Sequence, residues 1–272
     1  MHKSVTVLAA AAALTVTLAG CATVAGQSGG AGPAPVASSA PADPKAAFAA
    51  AFAAMNVGNF GYSMVIDETM NAKVLVDNDT KSTHAAVTIV AEEASMTVES
   101  YKAGEFLYTK MDLSDLVHGI NPGAPIPEGL DGKKWLRLDP SRSERLAGSL
   151  DQVALDPTLV ERSVLTIQQP TAHTFNGTLD LTRATPARFG SLDESPSDKA
   201  AREAAKNVPF HAETDADGRI AFFSIDVTDA GESATMKMTF GPWGTVTLPP
   251  VPAPGSYIDA PDAFYDMGTV TT

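Results

Sequence analysis

The sequence predicts an α+β protein whose body is a mostly antiparallel sheet of ten or eleven short strands. Three observations predict it. From Phe60 the apolar residues recur with period two: Phe60, Tyr62, Met64 and Ile66 alternate with Gly61, Ser63, Val65 and Asp67, the pattern of a strand with one buried face. Turn residues at hairpin spacing separate successive strand patterns, as at Asp77-Asn78-Asp79, Ala103-Gly104 and Asp217-Gly218. Helical patterns are few and clustered instead of alternating with strands, which argues against parallel β-α-β units. The 272 residues are 44% hydrophobic and 19% charged, so the chain is too apolar for a disordered polymer and long enough to bury a core in one domain or two.

Asp43-Pro44 reads as an N-cap followed by proline at the first helical position. Phe48, Phe52 and Met55 then fall on one face of a helix that Asn56 and Gly58 stop. The strand at 60–66 is followed by candidates at 73–76, 83–91, 95–101, 105–111 and 134–138. Further candidates are 165–168, 173–182, 208–214, 219–227 and 233–240, with 244–248 closing the series. Ser141 with Glu144 forms a capping box for a helix to Leu150, Asp156-Pro157 opens a short helix to Arg162, and Ser195-Pro196 opens another to Asn207.

Ahead of this body lies an address. A weakly basic start, His2-Lys3, precedes an apolar run from Val5 to Leu18, about the length of a signal-peptide core and too short to span a bilayer. It ends in Leu18-Ala19-Gly20-Cys21, which resembles the lipobox of bacterial lipoproteins. That resemblance implies cleavage before Cys21, diacylglyceryl transfer to its thiol, and anchoring on the extracytoplasmic face of the cell membrane. Residues 22–43 are mostly Ala, Gly, Ser and Pro without apolar periodicity, a flexible tether. The expected organisation is a signal peptide over 1–20, the lipidated cysteine and tether over 21–43, a folded domain over 44–250, and an irregular C-terminal tail over 251–272.

Charge and motifs narrow the chemistry. Nineteen basic against 32 acidic residues give a net charge of −13, with no cationic surplus to displace phosphate counterions, so a nucleic-acid partner is not expected. The single cysteine is used by the anchor and leaves no thiol nucleophile and no disulfide. The histidines, His2, His84, His118, His173 and His211, are scattered without metal-ligand spacing, and neither H-E-x-x-H nor G-x-S-x-G occurs. The pairs Asp77/Asp79 and Asp215/Asp217 fall at turns, where aspartate bonds its own backbone. Neither an enzyme nor a cofactor or metal is expected.

The apolar faces carry more information. Large, adaptable side chains dominate the alternations, and methionine suits surfaces that accept varied apolar ligands. A curved sheet of this many strands can enclose an apolar cavity. The periodicity assigns to it Phe52 of the first helix, Tyr62, Met64 and Ile66, then Val87, Ile89, Met96 and Val98. Phe106 and Tyr108 follow, then Phe175, Leu179, Phe210, Phe222, Met236 and Met238. The long segment 112–133, with three prolines and four glycines, reads as a loop whose Leu116, Ile120 and Ile126 form a lid. The competing expectation is a solid core, with the helices covering the same face.

The layout is similar to the actinobacterial lipoproteins of the LppX, LprA, LprF and LprG type and, more distantly, to the LolA and LolB carriers. The resemblance covers about residues 44–250. It is carried by Gly104-Glu105-Phe106-Leu107-Tyr108, Lys134-Trp135-Leu136-Arg137-Leu138, Phe175-Asn176-Gly177-Thr178-Leu179-Asp180, Val208-Pro209-Phe210 with Asp217-Gly218-Arg219-Ile220, and Phe240-Gly241-Pro242-Trp243-Gly244. It implies a half-barrel of strongly curved sheet with helices over its concave face. It also implies an apolar cavity between them that binds lipid or lipoglycan in the cell envelope.

Overall fold

The computed structural model describes residues 43–67, 69–90, 95–120, 123, 125–126, 128–142, 161–184, 196–229, 232–262 and 265. The leader, Cys21, the tether up to residue 42 and the expected helix from Ser141 to Leu150 fall wholly or largely outside them, as does most of the one expected from Asp156.

Twelve strands form one open sheet: β1 (Asn59–Ile66), β2 (Met70–Asp77), β3 (Ser82–Val90), β4 (Ser95–Ala103), β5 (Phe106–Asp112), β6 (Trp135–Leu138), β7 (Val164–Thr171), β8 (Thr174–Leu179), β9 (Val208–Thr214), β10 (Ile220–Asp229), β11 (Glu232–Trp243) and β12 (Tyr257–Asp259). Their spatial order is β12-β6-β5-β4-β3-β2-β1-β11-β10-β9-β8-β7. Two antiparallel meanders, β1–β5 and β7–β11, meet where β1 pairs with β11, for example Met64 with Met238. Every neighbour pair is antiparallel except β12 on β6. The fold class is therefore α+β with a large, mostly antiparallel sheet.

The first helix, α1 (Pro44–Ala53), begins as the sequence dictates. Asp43 Oδ1 accepts from the Lys45 N–H at 2.9 Å and proline occupies the first turn. A 3-10 turn over Ala54–Asn56 ends it, and Asn78 Nδ2 ties that exit to the β2–β3 turn by donating to the carbonyls of Met55 and Gly58. Among the described residues, short helices follow at α2 (Ser114–Ile120), α3 (Leu181–Ala184) and α4 (Pro196–Ala204). The strand expected to run to 182 stops at Leu179 because buried Asp180 caps α3. Asp180 accepts from the Thr182 N–H and hydroxyl and pairs with Arg183. Leu181 N donates to Ala205 O and joins α3 to the end of α4.

Two expectations are corrected here. The 112–133 segment is not loop throughout: α2 occupies its first part, started where Asp112 Oδ1 accepts from Ser114 N–H. Residues 244–248 make no strand, and the described residues beyond 250 do not simply run past the sheet. The chain returns to pair Tyr257–Asp259 in parallel with Trp135–Arg137, and Ala260 is buried there. Arg137 holds this return: its guanidinium lies 4.9 Å from the ring centres of both Phe106 and Tyr257 and bonds Asp259 at 2.7 Å.

Candidate apolar trough

Register decides which face each strand residue takes, because parity fixes the side. Starting from Met64, the pairings carry one face across the sheet: Tyr62, Met64 and Ile66 with Phe240, Met238 and Met236, then Ile225 and Phe223, then Phe210 and Ala212, then Phe175, Gly177 and Leu179. In the other direction it runs through Met70, Ala72, Val74 and Val76 to Ile89, Val87, Ala85 and Thr83. It then crosses to Met96, Val98 and Ser100 and ends on Met111, Thr109 and Leu107.

Burial along this core face is uneven. From β8 to β2 it is a closed core. Phe48 is fully buried, with ring centres 4.9 Å from Phe210, 5.0 Å from Phe52 and 5.5 Å from Phe175, while Phe52 meets Phe223 edge-on at 5.7 Å. α1 thus fills the β7–β10 side of the face with aromatic contacts. At the opposite end Leu136, Leu138 and Ala260 make a second, smaller buried cluster with Leu107, Leu130 and Ile258 against it. Between the two, on β3–β5, Val87, Ile89, Met96, Val98 and Met111 are only half-buried. This stripe spans about 7 Å along β3, from Val87 to Ile89, and about 10 Å across three strands. Beyond Val98 it turns polar at Ser100 and buried Thr109.

Thirteen of the sixteen expected cavity residues belong to this one face. Phe52, Tyr62, Met64, Phe175, Leu179, Phe210, Met236 and Met238 are buried in the closed core, and Ile66, Val87 and Ile89 pack half-buried against it. Val87 and Ile89, with Met96 and Val98, line the stripe. Three residues are corrected. Phe106 and Tyr108 have the opposite parity to Leu107, Thr109 and Met111 and lie on the other face of β5, where Tyr108 packs against Tyr257 at 5.4 Å. Phe222 also faces away, 5.9 Å from His211, and Phe223 takes the core position. Met111, hidden by the inward reading of Phe106 and Tyr108, is the stripe residue missing from the cavity list. Of the expected lid, Ile126 is half-buried; Leu116 and Ile120 lie in α2 with side chains outside the described set.

Several polar groups on the far face pair with one another. His84 Nε2 lies 2.8 Å from Glu99, which also faces Lys110 at 3.8 Å. His211 bridges Asn176 at 2.7 Å and Glu213 at 3.0 Å, and His173 meets Thr214 at 3.1 Å. Burial pushes the Tyr62 hydroxyl well above the ordinary phenol range, and Tyr101 is raised by burial and then by the charge of Asp77. Hydrogen bonds from Ser114 lower Asp112. Among the described residues no group of three His, Cys, Asp or Glu side chains is placed to hold a metal ion, and no helix is long and apolar enough to cross a membrane. No protein-family model matches the chain, and no curated protein matches its sequence.

Proposed function

We propose that this protein is a membrane-anchored lipoprotein that binds or carries lipid or lipoglycan in the bacterial cell envelope, held by Cys21 on the extracytoplasmic face. The observation that carries the reading is the half-buried stripe of Val87, Ile89, Met96, Val98 and Met111 set between two closed cores on the same face. Among the described residues that strip is less covered than the cores on either side of it, and an acyl chain laid along it gains about 0.8 kcal/mol for each methylene removed from water. The mechanism is passive: desolvation of the chain in the trough, release at a second membrane or partner, and no catalytic step. In this reading the sheet curves into a half-barrel with its helices over the concave side, as the sequence resemblance to the LppX and LprG type implies.

The close aromatic packing around Phe48 favours a second reading, a cell-surface interaction or structural module with a filled core. The experiment is quantitative lipid extraction and mass spectrometry of the full-length protein purified from its own membranes. Lipid carriage predicts a free lipid near one mole per mole of protein, in addition to the acyl groups covalently held by the Cys21 peptide. Finding acyl groups on Cys21 alone, with no free lipid above a control lipoprotein, would leave the scaffold reading.

A further inference from the structure

The far face of the sheet holds a cleft that the trough does not use. After β11 the chain crosses the ends of β1–β4. Val246, Leu248 and Val251 of this crossing segment form one wall of a space of about 450 Å³, and Asn59, Asp77, Ser82 and Tyr101 form the other. The register places these strand residues opposite the core face, since Asp77 pairs with Asn59 and Ser82 and has the parity opposite to buried Val76. We propose that this cleft is a binding site for a neutral saccharide, one or two rings in size.

The lining selects the ligand class by exclusion and by fit. Among the described residues it holds no lysine, arginine or histidine, so the lining itself offers an anion no counter-charge. Its one carboxylate, Asp77, already accepts from the N–H groups of Asp79 and Thr80 through Oδ1, which does not make a cation cage. Against an acyl chain its amide, carboxylate and hydroxyl groups would lose their hydrogen-bond partners. What remains is a ring with hydroxyls on its edge and C–H groups on its face. The hydroxyls meet the Asn59 amide, the Asp77 carboxylate and the hydroxyls of Ser82, Thr80 and Tyr101, and the C–H face meets Val246, Leu248 and Val251. The volume lies in the range of small-ligand sites, about 300–1,000 Å³.

One further observation separates the cleft from a packing gap. Val251, at 45% exposure, stands among the lining residues as a large apolar side chain left in solvent. The wall is also preorganised: the turn bearing Asp77 and Thr80 is tied to the exit of α1 by the two hydrogen bonds of Asn78. The site stands independently of lipid binding, because it lies on the other side of the sheet.

The test is saturation-transfer NMR on the detergent-solubilised full-length protein with glucose, mannose, galactose, maltose and trehalose at millimolar concentration. At least one sugar should show transfer to the wild type. Val251→Trp, which fills the mouth from an exposed position, should abolish it. Tyr101→Phe, which keeps the ring and removes the hydroxyl, should weaken it about tenfold with the melting temperature nearly unchanged. Labelling of the trough by a photoreactive fatty acid is measured on the same variants and should persist in Val251→Trp, so the two sites fail separately. No transfer from any of the five sugars, or equal transfer to wild type and Val251→Trp, would overturn the proposal.

Discussion

Truncating Phe48 probes the closed half of the core face directly. The side chain is fully buried and touches Phe52, Phe175 and Phe210 at ring-centre separations of 4.9 to 5.5 Å. It therefore joins α1 to β8 and β9, which lie more than a hundred residues further along the chain. Phe48→Ala removes the buried ring and leaves a cavity that three neighbouring rings, each fixed by its own strand or helix, collapse into only partly. The expected loss is about 3–5 kcal/mol, a large fraction of the roughly 5–15 kcal/mol that holds a typical domain folded. Phe222→Ala is the matched control. Its ring is half-buried on the other face beside His211, and the expected loss is about 1 kcal/mol. Urea unfolding followed by tryptophan fluorescence checks both, with an unchanged slope showing that the same surface is exposed. Equal losses for the two variants, or a loss below about 1 kcal/mol for Phe48→Ala, would refute the assignment of faces and the docking of α1.

Other outcomes follow from single positions. Gly177→Ala should destabilise far more than Gly104→Ala at the same assay: a Cβ at 177 would sit 2.0 Å from the Thr166 carbonyl oxygen and 2.7 Å from the Phe210 ring, whereas at 104 nothing lies within 4 Å and only the positive φ of +57° opposes it. Tyr62 and Tyr101 are both raised above the ordinary phenol value. The folded protein therefore holds their protons more tightly than the unfolded chain, and stability is intact below pH 10 and falls as pH rises beyond it. Tyr62→Phe should flatten that alkaline fall in a melting-temperature series; an unchanged slope contradicts it. Arg137→Ala should speed amide exchange at 257–260 and leave β8 and β9 protected, and Arg137→Lys should not restore protection, because lysine lacks the planar group that stacks on Phe106 and Tyr257. Equal protection in all three proteins would show that β12 is held by its backbone pairing alone.

The sheet was legible because parity and hairpin chemistry are local. The alternation at 60–66, the Asp217-Gly218 turn, where Gly218 takes a φ of +80°, and the Asp43-Pro44 cap each depend on a few adjacent residues, and each matches the structure. What was not legible depends on register. In β5 apolar side chains stand at both parities, Phe106 and Tyr108 against Leu107 and Met111, and only the pairing of Val98 with Met111 shows which set faces the core. In β10 Phe222 and Phe223 are adjacent, and a register shift between Ile220 and Phe222 decides between them. α2 did carry a signal: Leu113, Leu116, Val117 and Ile120 fall at helical spacing, masked by Gly119 and by the prolines after it. β12 carried none, since three residues are too few for a period and its partner lies 122 positions earlier.

The central claim concerns the stripe on β3–β5, and the most direct measurement is photolabelling of the full-length protein with a diazirine-bearing fatty acid, followed by peptide mass spectrometry. The account predicts adducts concentrated on peptides 82–90, 95–103 and 106–112, competed by unlabelled fatty acid and suppressed by Val98→Asp. Adducts spread evenly over the surface, or confined to the 59–66 and 232–243 strands of the closed core, would contradict it.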